Sequence, residues 1–147
     1  MKKHSYVFFA SFLVCILALL TSVSSVQAER YLRITINNYS NEDVAIAVAR
    51  KNGYNASDHE TKGWYACGAR KSVTVNAFIY NEEDNYYYFA VQRHRGVIAS
   101  GNRFSGWIIH GKPFTSRGDK KLSGGTRVGF KPLKHDKGRV IINIGKR

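Results

Sequence analysis

The sequence predicts a single all-β domain, an antiparallel sandwich or a barrel-like fold, after an N-terminal signal peptide. Two observations predict this class. Short runs in which apolar residues alternate with others recur along the chain, and clusters of Asn, Gly, Asp and Ser separate them. No segment keeps the 3.6-residue period of an amphipathic helix. Many short strands with turns between them are typical of β-sandwiches and barrels.

The N-terminal residues have the three parts of a secretory signal peptide. Lys2 and Lys3 give a basic start, Tyr6–Leu20 is apolar except for one serine, and Val26-Gln27-Ala28 has the form of a cleavage site. An uncleaved membrane anchor is the alternative, but a spanning helix needs about 20 apolar residues and this run is shorter. We therefore expect residues 1–28 to be removed after Ala28. The protein would then be secreted or periplasmic, with residues 29–147 as its domain.

Five strands are predicted in the first part of this domain: Tyr31–Asn37, Val44–Arg50, Thr61–Ala66, Lys71–Phe78 and Tyr86–Gln92. The second is rich in alanine, which favours a helix, but its β-branched residues recur with a period of two and favour a strand. This strand could pair with the first as a hairpin. The fifth is expected to be central, because both of its faces are apolar or aromatic.

Four further strands are predicted in the second part: Val97–Ala99, Gly106–Ile109, Arg127–Lys131 and Arg139–Ile144. The last two are expected to close the domain as a pair. Phe114 is expected to enter the core, and Thr115–Thr126, rich in Ser, Gly and Lys, is expected to be a long loop.

Positive charge is concentrated in the second part of the chain. Glu29–Asp84 has seven basic and eight acidic residues, a balance of −1, whereas Asn85–Arg147 has fourteen basic and two acidic residues, a balance of +12. Such asymmetry indicates a basic face and a polyanionic partner. The alternative is a charged surface that only keeps the protein soluble.

Basic residues near aromatic ones are the strongest candidates for a binding site. Multisite charge pairing with an anionic polymer is predicted for Arg93, Arg95, Arg103, Arg117, Lys120 and Lys121. Aromatic rings can stack on bases or sugars, and the candidates for this role are Tyr86, Tyr88 and Trp107. Core packing is the competing interpretation for these three rings, and it is the favoured one for Trp64, Tyr87 and Phe89.

The chain offers little that indicates an enzyme. No HExxH or CxxC motif is present, so neither a metal site nor a cofactor is predicted. A ribonuclease-like hydrolase would need a carboxylate and an imidazole around one phosphate, and Glu82 or Glu83 with His94 or His110 could supply them. Without Cys15 of the signal peptide, Cys67 has no intrachain partner. It is therefore buried, bridged to another molecule or reactive, and burial is favoured.

The order of the aromatic motifs resembles that of a bacterial family of exported proteins, catalogued as domain of unknown function 1036. The motifs are Gly63-Trp64-Tyr65, the tyrosine-rich Tyr86–Ala90, and Gly106-Trp107 before Phe114. They follow a first strand that ends in Asn, and Cys67-Gly68-Ala69 stands where the family has a Pro-Gly turn. The resemblance implies an exported domain and brings no catalytic residues.

Taken together, the residues favour an exported, basic, non-enzymatic module that binds an anionic polymer or an envelope surface. The candidate partners are envelope polysaccharide, lipid head groups, extracellular nucleic acid and an acidic protein. A small secreted hydrolase and a structural envelope protein are the alternatives.

Overall fold

The computed structural model describes residues 30–55 and 57–145, and within them it contains ten β-strands and no helix. The strands are β1 Tyr31–Asn38, β2 Val44–Lys51, β3 His59–Cys67, β4 Ser72–Ile79, β5 Asn85–Gln92, β6 Gly96–Ala99, β7 Phe104–Ile108, β8 Phe114–Arg117, β9 Thr126–Leu133 and β10 Arg139–Ile144. The predicted all-β class is confirmed. The predicted signal peptide, Cys15 and the cleavage site after Ala28 lie outside the described residues.

The described part of the chain has no helix of the length and apolar character needed to cross a membrane.

Sheet A has three strands in the order β10-β1-β4. The central strand β1 runs parallel to β10 and antiparallel to β4. Leu32, Ile34 and Ile36 alternate along β1 and are fully buried, so one face of the sheet covers a core and the other faces solvent.

Sheet B is antiparallel and nearly closed into a barrel, with strands in the order β7-β9-β5-β2-β3-β8 and with β6 added on β5. Two strands share one edge of β5. Strand β9 pairs with this edge near Tyr86, and β6 pairs with it near Gln92. Gly106 of β7 lies so close to β3 that a Cβ atom there would be 2.9 Å from Oγ1 of Thr61. The missing side chain therefore allows β7, at one end of the sheet, to approach β3, the strand next to the other end.

Strand β2 separates two cores, because its successive side chains point to opposite faces of the sheet. Ile46 and Val48, on one face, pack against the buried face of sheet A. Ala47 and Ala49, on the other face, point into the barrel together with Phe89. Small alanine side chains suit the narrow interior of a small barrel, whereas β-branched residues fill the wider space between two sheets.

Aromatic rings fill the barrel. Phe130 packs against Phe89 and Phe104 at centroid distances of 5.9 and 5.6 Å. Gly63 leaves the space that the Phe114 ring occupies, since a Cβ atom there would be 2.7 Å from that ring. The expectation that Phe114 enters the core is confirmed.

Three predictions about pairing and loops are wrong. The first two strands do not form a hairpin, because β1 pairs with β4 and β10 while β2 pairs with β3 and β5. The last two strands do not pair either, because β10 joins sheet A and β9 joins sheet B. The predicted loop Thr115–Thr126 begins with strand β8, which pairs with β3 from Phe114 to Arg117. The central position of β5 is confirmed.

Candidate functional site

A groove lies between β6 and the edge of β10 that does not face β1, and its volume is about 830 Å³. Its walls come from β5, β6, the loop from β6 to β7, β9 and β10. The outer edge of β10 pairs with none of the described strands. The groove therefore lies beside a strand edge that no described strand covers.

Three basic residues from separate parts of the chain line this groove. Arg95 lies in the turn between β5 and β6, Arg103 immediately precedes β7, and Lys131 lies on β9. All three are exposed, and the described lining of the groove contains no carboxylate. Arg95 Nε lies 3.6 Å from a carboxylate oxygen of Glu42, outside the lining, while Arg103 and Lys131 form no ion pair with a described residue. The groove is therefore a site of concentrated positive charge.

Polar and aromatic groups complete the groove. Tyr88 is half-buried and lies directly across from Lys131 in the pairing of β5 with β9, so both side chains point to the same face. Gln92 is buried, and its Nε2 donates a hydrogen bond of 2.7 Å to Oγ of Ser40. Asn143 Oδ1 accepts a hydrogen bond of 2.9 Å from Asn37. These hydrogen bonds fix part of the groove wall.

Two glycines hold the loop that carries Arg103 against β9. Gly101 N donates to the carbonyl oxygen of Gly129 at 3.3 Å. A Cβ atom on Gly101 would lie 2.7 Å from the carbonyl oxygen of Phe130, so no side chain fits there. The backbone contact fixes the start of the segment that brings Arg103 to the same groove as Lys131.

The structure divides the six predicted cationic residues among different regions. Arg95 and Arg103 line the groove, and Arg93 lines a separate apolar pocket. Arg117 lies 3.6 Å from Glu60, Lys121 lies 5.9 Å above the Trp107 ring, and Lys120 is exposed on the loop after β8. A single face made by all six is not formed.

The aromatic candidates also separate. Tyr86 is only 2% exposed, and its hydroxyl donates to the Asn81 carbonyl at 3.1 Å and accepts from the Asn81 amide at 2.9 Å. Burial raises its pKa above the ordinary value. A ring in the core cannot stack on a ligand, so Tyr86 is withdrawn as a candidate. Tyr88 lies in the groove, and Trp107 is half-buried away from it.

The rings assigned to the core by the sequence do pack there. Phe89 is fully buried, and Trp64 and Tyr87 are half-buried against the barrel core.

A second group of cations surrounds two buried carboxylates, and we call it the carboxylate cluster. Arg50 Nη1 lies 3.4 Å from Asp84, and Lys62 Nζ lies 3.4 Å from Glu60. Arg117 approaches the same Glu60 from the surface. Glu60 and Asp84 are 8% and 4% exposed, so these cations neutralise carboxylates that would otherwise be buried and uncompensated.

Cys67 is buried, as the sequence favoured. Its thiol lies 3.2 Å from the carbonyl oxygen of Lys71, and burial raises its pKa above the ordinary value. A thiol that stays protonated is a poor nucleophile, so Cys67 has a packing role.

The carboxylate and imidazole pair of a hydrolase is not assembled from the residues proposed for it. Glu82 and Glu83 precede β5, whereas His94 follows it, and a strand of this length separates its ends by about 25 Å. His110 lines the same pocket as Arg93, which places it at the His94 end. The described residues contain no group of three or more His, Cys, Asp or Glu side chains that could hold a metal ion.

Sequence reasoning missed Lys131 of β9 and Asn143 of β10 as groove residues. The alternation of β9 could have indicated that Lys131 points away from the barrel, because its neighbour Phe130 points inward. That alternation does not identify the strand that lies beside Lys131 in the groove.

Comparisons of the chain with protein-family models, with curated proteins and with solved structures find no match. The described residues themselves define the class of protein. It is an all-β domain with a nearly closed barrel, a second sheet packed on that barrel, and a cationic groove between β6 and β10.

Proposed function

We propose that this protein is an exported, non-enzymatic module that binds an anionic polymer or an anionic envelope surface through the groove between β6 and β10. One observation carries the proposal. Arg95, Arg103 and Lys131, from three separate segments, line one open groove whose described lining contains no carboxylate. Export rests on the N-terminal sequence, and the resemblance to domain of unknown function 1036 remains a prediction that agrees with it.

The chemistry of the groove suits repeated anionic groups. A guanidinium can donate two parallel hydrogen bonds to a phosphate, sulfate or carboxylate, and an ammonium adds a point charge. Each contact with a polyanion releases condensed counterions, so affinity comes from the number of contacts rather than from one strong bond. Tyr88 offers a half-buried ring on which a base or a sugar can stack. No sequence-specific readout is expected.

The test is the affinity of the purified protein for heparin, single-stranded DNA and vesicles that contain anionic lipid, measured over a range of salt concentrations. We expect binding that weakens steeply with salt, with a slope of roughly 0.7 to 0.9 per phosphate contact on nucleic acid. The ranking of the three affinities then identifies the class of partner. If the protein dissociates from heparin, DNA and vesicles already at low salt, the proposal is refuted and a structural envelope protein is favoured.

Two matched double variants locate the site. Arg103→Ala with Lys131→Ala removes one arginine and one lysine from the groove, while Arg117→Ala with Lys120→Ala removes the same charge elsewhere. We expect the groove variant to weaken binding at least tenfold and to reduce the salt slope by the amount that two lost contacts would cause. The control variant should change the affinity less than twofold. Equal losses in both variants would mean that net charge, and not the groove, drives binding.

A further inference from the structure

An apolar pocket of about 640 Å³ lies at one mouth of the barrel. Its floor is a row of small apolar side chains on four neighbouring strands. Ala45 pairs directly with Ala66 on one side and with Val91 on the other, and Val91 pairs with Val97. Directly paired residues point to the same face of a sheet, so the four form one continuous apolar strip.

An aromatic wall rises beside this strip. Trp64 Nε1 donates a hydrogen bond of 2.7 Å to the carbonyl oxygen of Ile109. The indole stacks on His110 with a centroid distance of 6.3 Å and an interplanar angle of 27°, and Phe114 meets it edge-on at 5.7 Å. Trp64 and His110 both line the pocket. The wall is thus held in place by the protein itself and needs no ligand to form.

The rim of the pocket carries uncompensated positive charge. Arg93 and Lys112 line it, both are exposed, and neither forms an ion pair with a described residue. Asp43 is the one carboxylate in the described lining, and its Oδ1 accepts a hydrogen bond of 2.8 Å from the Ala69 amide. An apolar floor below two free cations is complementary to a molecule with an apolar body and an anionic head.

We propose that this pocket binds a small amphiphile, whose apolar body lies on the four-residue strip against Trp64 and whose carboxylate pairs with Arg93 and Lys112. The volume lies within the range of small-molecule sites, about 300–1,000 Å³. The pocket is distinct from the cationic groove, and the described linings of the two have Gln92 and Val97 in common. The inference therefore stands independently of the proposed function.

The test uses the two tryptophan indole N–H signals of the purified protein in a proton–nitrogen NMR spectrum. Dodecanoate and 2-naphthoate, kept below their aggregation concentrations, are titrated in, with dodecyltrimethylammonium as a cation of the same chain length. We expect at least one carboxylate to shift the Trp64 signal saturably while the Trp107 signal stays fixed. The cation should bind at least tenfold more weakly. The carboxylate that binds more tightly shows whether the apolar body of the preferred ligand is an alkyl chain or a fused ring.

Matched variants at Ala66 separate loss of binding from loss of folding. Ala66 is exposed and lines this pocket but not the cationic groove, so Ala66→Gln and Ala66→Glu differ by one charge at a tolerant position. We expect Ala66→Glu to bind the carboxylate at least fivefold more weakly than Ala66→Gln, and Arg93→Ala with Lys112→Ala to lose at least tenfold. The proposal is overturned if neither carboxylate moves the Trp64 signal, if the cation binds as tightly, or if the Gln and Glu variants bind equally.

Discussion

The cationic groove and the carboxylate cluster contain the same kinds of residue and use them for different ends. In the cluster, Arg50 and Lys62 lie 3.4 Å from Asp84 and Glu60, carboxylates that are almost fully buried. In the groove, Arg103 and Lys131 have no carboxylate in the described lining. The charges of the cluster are used within the fold, whereas those of the groove remain available to a ligand.

The difference shows that the local supply of carboxylates, and not the number of cations, decides which basic residues can bind an anion. The first part of the domain is nearly neutral by count because it contains eight acidic residues, and these include Glu60 and Asp84. Removing a carboxylate should therefore have its largest effect on stability in the cluster. Adding one should have its largest effect on binding in the groove.

The largest effect is expected from Asp84→Asn. The substitution leaves the partly buried Arg50 guanidinium without its nearest carboxylate and weakens the hydrogen bond of 3.4 Å from the Gly53 amide. We expect the free energy of unfolding to fall by about 3 kcal/mol. Urea unfolding followed by circular dichroism measures it. The matched control is Asp119→Asn, because Asp119 is 79% exposed and should change stability by less than about 0.5 kcal/mol. Similar losses in both variants would remove the distinction between the two regions.

An intermediate effect is expected from a carboxylate placed in the groove. Asn102 is exposed and lines the groove, so Asn102→Glu supplies the partner that Arg103 and Lys131 lack. We expect the Kd for heparin to rise about tenfold, or about 1.4 kcal/mol, relative to Asn102→Gln. A salt titration of both variants measures the change. If the two variants bind equally, Asn102 does not lie beside the bound polymer.

The smallest effect is expected from Arg117→Ala at the surface of the cluster. Its side chain is 80% exposed, so solvent screens its contact with Glu60, and Lys62 still approaches the same carboxylate. The free energy of unfolding should fall by no more than about 0.5 kcal/mol, with heparin affinity unchanged. A loss above about 1.5 kcal/mol in the urea titration would show that Arg117 is an essential partner of the buried Glu60.

Local pattern was enough to find nine of the ten described strands, and it missed β8, which lies at the start of the predicted loop. The alternation in β1 correctly placed Leu32, Ile34 and Ile36 in the core, because a period of two fixes which residues share a face. It could not find the partners of a strand. β1 and β2 are neighbours in sequence and belong to different sheets, and the pairing of β1 with β10 joins residues 106 positions apart.

The candidate site was predictable in part for the same reason. Arg95, Arg103 and Tyr88 lie near one another in sequence, and proximity alone suggested that they act together. Lys131 reaches the groove only through the pairing of β5 with β9. Arg117 looked equivalent to Arg103 until its buried neighbour Glu60 was located across the pairing of β3 with β8.

The parallel pairing of β1 with β10 has a consequence for the order of events in the cell. Val140, Ile142 and Ile144 of β10 are buried in the core between the two sheets. A growing chain therefore cannot complete that core until Ile144 has left the ribosome, and contacts over such sequence distances form slowly. The core between the two sheets is thus completed late in folding, after β1 and β10 have paired across 106 positions of sequence.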